Sequence, residues 1–396
     1  MSALDMDQFA PEELTGPVID VSDVPDIPVE TKKIVNDQLL DKDGNAIDMA
    51  FKFAFVGVGQ AGGRIARQFH QYGYRRVCAV NTAQADLQLL KLPEENKRVI
   101  GNARGAGGNP DVGRAAVMAE REEIHDLMLS SFGESFDRVF ICASIGGGTG
   151  AGGCLEVARI AKEMMSRLEL ADVEHKDPRV GMILVLPRES DGPAAYASAA
   201  KVLEEVVELA PHGISPLILV DNQRFDRTYP DTPVSQFFGT TNHAVCSLFH
   251  LLNVVAAQPS AITPFDPKDY ESVLSSGILT FGAAPIAQWQ GQDGIGEGIR
   301  KLVTHQAMVT GVDIVTASVA GCVLVAGQKI LDQLPNSHLE KGFSMLARMI
   351  NKNVGAAIRR GVYAGSADSV TMYVVLGGLA APAARIADLK KRGGVQ

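Results

Sequence analysis

The sequence predicts a two-domain α/β protein: a parallel-sheet domain joined by a long central helix to a smaller α/β domain. Three observations predict it. Short apolar runs alternate with helical patterns through the first half of the chain, one unbroken helical pattern follows at 233–257, and further strand and helix patterns succeed one another beyond it. Such alternation is the mark of a sheet covered on both faces by helices. A chain of 396 residues, 46% of them hydrophobic, can bury a substantial interior, and its length suits two domains.

Residues 1–50 are rich in Asp, Glu and Pro without sustained periodicity, which predicts a flexible acidic arm. From Phe51 the character changes. Phe53-Ala54-Phe55-Val56 is an apolar run that ends in Gly57 and leads into a helical pattern from Arg64 to Tyr72. Further strands are predicted at Arg76 to Val80, Arg138 to Ala143, Val180 to Leu186 and Pro216 to Val220, with helices at Leu155 to Arg167 and Ala197 to Leu209. Each run ends in Gly, Asn, Asp or Pro with polar neighbours, and in such sheets ligands sit beyond the carboxyl ends of the strands. Pro233 to Ala257 is apolar along its length and predicts a buried connecting helix. Strands at Ile278 to Ala284, Gly321 to Ala326 and Met372 to Leu376, with helices near Gly294 to Ala307 and His338 to Asn351, make the second domain. The divisions are thus an arm at 1–50, a first domain at 51–232, a central helix at 233–258, a second domain at 259–385 and a polar tail at 386–396.

A net charge of −9 argues against nucleic-acid binding, which normally gathers Lys and Arg on one face. The five cysteines, Cys78, Cys142, Cys154, Cys246 and Cys322, lack metal-site spacing and lie mostly in apolar runs, as expected of reduced thiols in a cytoplasmic protein. The acidic, Pro-rich start is unlike a signal peptide, and no apolar stretch is long enough to span a bilayer.

Phosphate oxygens need many donors at close range, and glycine allows backbone N–H groups to converge on them. Three glycine loops occur. Gly57-Val58-Gly59-Gln60-Ala61-Gly62-Gly63 lies between a strand and a helix, aiming the positive helix end at an anion. This run also satisfies the dinucleotide fingerprint, but the next strand ends in Asn81-Thr82 where an acid would be wanted for the ribose hydroxyls. A nicotinamide or flavin oxidoreductase is therefore the second reading. The loop Gly146 to Gly153 holds six glycines in eight residues, and its Thr149 adds a hydroxyl donor, a set suited to a di- or triphosphate. The third, Gly105-Ala106-Gly107-Gly108-Asn109-Pro110, precedes a helix that opens with Asp111 and can reach a terminal phosphate. No GxxxxGK[ST] run is present, so this is not a P-loop site.

Together these loops resemble the tubulin/FtsZ superfamily. GGGTGAG from Gly146 to Gly152 is similar to that family's phosphate signature, and GAGGNPDVGRAA from Gly105 to Ala116 to its γ-phosphate loop. GVGQAGG and AVNTAQADL, the latter from Ala79 to Leu87, resemble the CetZ and FtsZ branches. The resemblance runs from about Lys52 to Ala284 and continues by element pattern.

It implies a GTP-binding, GTP-hydrolysing protein that polymerises head to tail into filaments of identical subunits, without nucleic acid. Under it, Gly59, Gln60, Ala61, Gly62, Gly63 and Arg64 hold phosphate, and Asn81 joins the nucleotide contacts. Gly146, Gly147, Gly148, Thr149 and Gly150 hold the α- and β-phosphates, while Ala106, Gly107, Gly108 and Asn109 face the γ-phosphate. Asp191 would bind the ribose, although the Arg that accompanies it in the family would fall near Ala195. Asn222 and Asn242 would bond the guanine edge, each amide offering donor and acceptor, and Phe238 would stack on the base; its alternative is ordinary core packing. Mg2+ would be held mainly by phosphates and water. Hydrolysis would be completed by the next subunit through Asp266 and Asp269 in Pro264-Phe265-Asp266-Pro267-Lys268-Asp269. Both acids also suit a helix cap or first turn. Pro264 replaces the family's Asn and Lys268 stands between the acids, so turnover could be slow, and a weakly hydrolysing structural filament protein is a third reading. The tail after Ala384 lacks the hydrophobic tether-recruiting peptide of division proteins, leaving any membrane tether open.

Overall fold

The computed structural model describes residues 39–40, 46–168, 180–210, 213–228, 230–305, 312–350, 356–365 and 369–395. The expected acidic arm lies outside these residues except at its C-terminal end. There β1 (Leu39–Leu40) and β2 (Ala46–Ile47) pair as a two-stranded ribbon. The rest divides into two compact units, one built chiefly from Phe51–Thr228 with Ala383–Gln396 and the other from Tyr229–Pro382.

The first unit runs β3 (Phe53–Val58), α1 (Gly59–Gln71), β4 (Val77–Asn81), α2 (Gln84–Gln88), β5 (Lys97–Val99), α3 (Pro110–Ala119), α4 (Arg121–Phe132), β6 (Arg138–Ser144), α5 (Thr149–Arg167), β7 (Val180–Leu186), α6 (Gly192–Leu209), β8 (Ile214–Asp221) and α7 (Asn222–Thr228). Its strands lie in the order β8-β7-β6-β3-β4-β5, every neighbouring pair parallel. β3, β4, β7 and β8 are buried along their full length, which is why they read as continuous apolar runs. From β3 the chain builds outward through β4 and β5, then returns to add β6, β7 and β8 on the other side. The reversal lies between β3 and β6, the position at which such sheets open a crevice for ligands.

Under the sheet, Phe55 stacks on Phe69 of α1 at 3.8 Å and meets Tyr74 and Phe140 edge-on or stacked at 5.1 and 5.5 Å. Each fully buried ring contributes about 1.5–3 kcal/mol of transfer free energy. Helices α1 and α5 reach the sheet closely through glycines. A Cβ at Gly62 of α1 would overlap the Cys142 carbonyl of β6, and one at Gly150 of α5 would overlap Ser144 O of the same strand.

The second unit runs α8 (Val234–Val255), α9 (Pro267–Leu274), β9 (Ile278–Pro285), α10 (Gly294–His305), β10 (Val319–Gly327), α11 (Gln328–Leu331), α12 (Asn336–Met349), β11 (Ala357–Gly365) and β12 (Val370–Leu379). Here β11 is parallel to β10, while β10 with β12 and β12 with β9 are antiparallel. The second half of α8 is buried on every side, including Val245, Cys246, Phe249, His250, Leu252 and Asn253. Among the described residues no helix is long and apolar enough to cross a membrane.

Two sequence expectations need correction. Helix α5 begins at Thr149 rather than near Cys154, so most of the second glycine loop is helix. The polar tail expected over 386–396 is instead largely a helix, α13 (Ala383–Gly393), which belongs to the first unit. Its basic residues are not all solvated: Arg385 is 3% exposed and Leu389 fully buried, and a Cβ at Gly393 would stand 2.5 Å from Ala197 N of α6.

Candidate nucleotide site

A pocket of about 370 Å³ opens at the chain reversal, beyond the carboxyl ends of β3, β4 and β6. Its lining comes from all three glycine loops. Val58, Gly59, Gln60 and Ala61 form one wall, Gly105 to Gly108 a second, and Ser144 with Gly147 to Gly150 a third; Asn81, Thr82, Ala83 and Asp86 complete it.

Two helices end there. The caps of α1 and α5 are Val58 and Gly148; neither makes a side-chain cap hydrogen bond, and neither first turn holds an acid. The first amides of a helix have no acceptor within it, so both helices direct uncompensated N–H groups and positive dipole ends to one place. That arrangement favours an anion with several oxygens. The two starts abut: at Gly59, whose φ of +72° favours glycine, a Cβ would lie 3.1 Å from Gly150 N.

The third loop is fixed to the second by small residues. A Cβ at Gly148 would lie 2.7 Å from Ala106 Cβ, one at Gly113 would lie 2.5 Å from Gly148 O, and one at Gly152 would overlap Pro110 O. α3 therefore lies flat on the start of α5, carrying the 105–109 loop to the pocket mouth. Gly107 and Gly108, at φ +56° and +75°, are exposed there with open space where a Cβ would stand.

The polar side chains form a small network. Thr82 Oγ1 and Thr149 Oγ1 lie 2.6 Å apart, both buried. Asp86 accepts from Gln60 Nε2 at 2.8 Å and from Asn81 Nδ2 at 3.0 Å, tying the loops after β3 and β4 together. Thr82, Asp86 and Ser144 were not singled out from the sequence. Asp86 lies within the AVNTAQADL run, which was the one available signal for it.

The other expected residues are distributed differently. Gly62 and Gly63 pack α1 on the sheet, and neither they nor the exposed Arg64 line the pocket. Asn109 caps α3, its Oδ1 accepting from Asp111 N at 2.9 Å. Gly146 lies against Pro187, just outside the lining. Asp191 is exposed and bound to Arg188, accepting from its backbone N at 3.0 Å. Asn222 is 8% exposed at the start of α7. Phe238 and Asn242 lie on α8 in the second unit; Phe238 is 38% exposed with its ring edge-on to Phe237, and Asn242 is half-buried.

Asp266 and Asp269 share the start of α9. Asp266 is exposed and is the N-cap, its Oδ1 accepting from Asp269 N at 2.8 Å. Asp269 lies 3.4 Å from Arg359 of β11. Burial, and then the charge of Asp266, push the Asp269 carboxyl above its ordinary range despite that Arg. The loop before them is held to β11: Tyr363 Oη accepts from Phe265 N at 2.8 Å, and Ser260 Oγ donates to Val362 O at 2.5 Å. Among the described residues there is no cluster of three His, Cys, Asp or Glu that could hold a metal ion.

Residues 52–229 match the Tubulin/FtsZ family, GTPase domain. The chain is 28% identical to the tubulin-like protein CetZ2 of Haloferax volcanii over 83% of its own length and 88% of that protein's. It is 26% identical to the tubulin-like protein TubZ of Bacillus cereus, over 59% of its own length and about half, 55%, of TubZ. Its fold superimposes on TubZ of Bacillus thuringiensis serovar israelensis, in a GTPγS-form protofilament, with a TM-score of 0.74 and 19% identity, covering 88% of this chain and 92% of that one.

Proposed function

We propose, from the match of residues 52–229 to the GTPase domain of the Tubulin/FtsZ family, that the pocket binds GTP and GDP and that the chain assembles head to tail into filaments of identical subunits. One observation carries the binding reading: two helix starts from different strands, neither capped, open onto the same pocket. The α- and β-phosphates lie across the first amides of α1 and α5, with the Thr149 hydroxyl beside them. Gly107 and Gly108 at the mouth face the terminal phosphate. Asp191 and Asn222 serve the ribose and base. Asp86 is occupied with Gln60 and Asn81, so it holds the loops together, and a Mg2+ ion would be bound mainly by phosphate oxygens and water.

No residue of the pocket lining is a convincing general base, since its one carboxylate already accepts two hydrogen bonds. Asp266 and Asp269 supply this function from the adjacent subunit of the filament, orienting water toward the terminal phosphate. A carboxylate whose affinity for protons is raised, as at Asp269, is the better proton acceptor. The test is GTP turnover per subunit against protein concentration, with electron microscopy of the same samples. Turnover that rises steeply as filaments appear supports hydrolysis at the interface; a flat dependence overturns it. Asp266 caps α9 and Asp269 lies by Arg359, which favours a second reading, a filament protein with little hydrolysis. Asp266→Ala separates the two, since it leaves turnover unchanged in the second.

A further inference from the structure

Helix α13 is joined to the loop after β7 and to the β8–α7 junction by a closed ring of hydrogen bonds. Arg385 donates from Nε and Nη2 to the two oxygens of Asp221 at 3.1 and 2.9 Å, and from Nη2 to Pro187 O at 2.7 Å. Asp221 Oδ1 also accepts from Gln223 N at 3.2 Å, and Gln223 Oε1 accepts from Glu189 N at 2.5 Å. Glu189 Oε1 accepts from Arg392 Nη1 at 2.7 Å. Arg392 Nε donates to Asp388 Oδ1 at 2.8 Å, and Asp388 Oδ2 accepts from Arg385 Nη1 at 2.6 Å, which closes the ring. Both guanidiniums lie 5.6 Å from the ring centre of Tyr196 on α6.

The ring reaches the pocket by direct contact. Pro187, whose carbonyl Arg385 holds, lies where a Cβ on Gly146 would be 3.1 Å from its own Cβ. Gly146 leads straight into Gly147 and Gly148 of the lining. On the other side Asp221 is fully buried and immediately precedes Asn222. A buried ion pair is a weak source of net stability, because desolvation offsets its attraction; its distinctive effect is to fix geometry. Here it fixes the loop after β7 and the end of β8 to a helix more than 160 residues away, the Arg385–Asp221 separation being 164.

We propose that α13 is a clasp for the nucleoside end of the site, with Arg385 as its positioning residue. Docking of the helix and binding of the nucleotide then strengthen each other by the same factor. The proposal rests on the guanine-nucleotide reading above and adds to it a handle: whatever displaces α13 loosens the nucleotide.

The experiment uses full-length protein and methylanthraniloyl-GDP, with release followed by stopped flow and hydrogen exchange of 383–393 followed with and without GDP. Arg385→Gln is expected to weaken binding about tenfold, mainly through faster release, and Arg385→Lys to recover part of the loss. Arg392→Gln, at the exposed side of the ring, weakens it about two- to threefold. In the wild type, GDP slows exchange across α13. A purely structural Arg385 would instead lower the unfolding midpoint and leave the affinity of the folded protein unchanged, which overturns the proposal. Should Arg385→Gln fail to fold, unchanged affinity in Arg392→Gln together with α13 exchange indifferent to GDP overturns it equally. Wild-type protein that ignores GDP at millimolar concentration removes the guanine reading and the clasp together; wild-type protein that binds GDP without protecting α13 removes the clasp alone.

Discussion

Replacing Gly152 by Ala sets two effects of opposite sign against each other. Gly152 lies in the first turns of α5, where Ala is the better helix former by about 1 kcal/mol. A Cβ there, however, would overlap Pro110 O and stand 2.7 Å from Arg114 N, both backbone atoms of α3. No rotamer change relieves such a contact, so α3 must move, at a cost near the upper end of the roughly 1–3 kcal/mol typical of overpacking. The net expectation is destabilisation by about 1–2 kcal/mol. Gly153→Ala is the control: its Cβ would meet Val117 Cγ2 at 2.9 Å and Val58 Cγ1 at 3.2 Å, side-chain methyls and not backbone, a milder crowding than at Gly152. Crowding and helix propensity then nearly cancel, leaving stability within about 0.5 kcal/mol of wild type. Because α3 carries the 105–109 loop, Gly152→Ala should also reduce the preference for GTP over GDP. Urea unfolding followed by circular dichroism, with nucleotide titrations on the folded protein, checks both. A Gly152→Ala protein as stable as wild type would refute the close α3–α5 contact and the steric argument built on it.

Asp266→Asn keeps an N-cap on α9 and should preserve stability, whereas Asp266→Ala should cost about 1 kcal/mol; both should lower GTP turnover in assembled protein, and full turnover in both would remove Asp266 from the chemistry. His250, fully buried, is lowered from 6.5 to about 3 by desolvation, so the native protein keeps it neutral while the unfolded chain binds its proton below pH 6.5. Stability is therefore lost as pH falls through that window, by about 1.4 kcal/mol per pH unit from this group; urea midpoints at pH 6.5 and 5 should show a shallower slope for His250→Phe than for wild type, and equal slopes would contradict this. All five cysteines are buried and outside any disulfide, with burial raising the thiols of Cys78, Cys142 and Cys322 well above their ordinary range and Cys154 to about 12. Folded protein at pH 8 should resist a thiol reagent that labels it fully in denaturant; rapid labelling of the native state would count against the packing.

Much of the α/β architecture was legible because burial on both faces writes itself into sequence as unbroken apolar runs. Val180 to Leu186 was read at its observed limits. The start of α5 was not, since Thr149 to Gly153 has the composition of a loop; in the fold it is helical and packs closely on α3, which the absence of side chains at Gly113 and Gly152 allows. The edge strand β11 carries Arg359 and Arg360 within AIRRGVYAG and so lacks the apolar signature of the central strands. The C-terminal helix was concealed by its charge, because the partner that buries Arg385 is Asp221, far away in sequence. At the site, the three glycine loops were found, and they do line one pocket. Asp86 escaped notice because its role depends on where β4 and α1 bring Asn81 and Gln60, which spacing alone does not disclose.

The central claim is that two helix starts and a glycine loop make a guanine-nucleotide cradle, and competition binding tests it most directly. Purified chain should take up labelled GDP, which unlabelled GTP and GDP displace and which ATP and NAD leave in place at equal concentration. Displacement by NAD, or no uptake at millimolar nucleotide, would contradict the account.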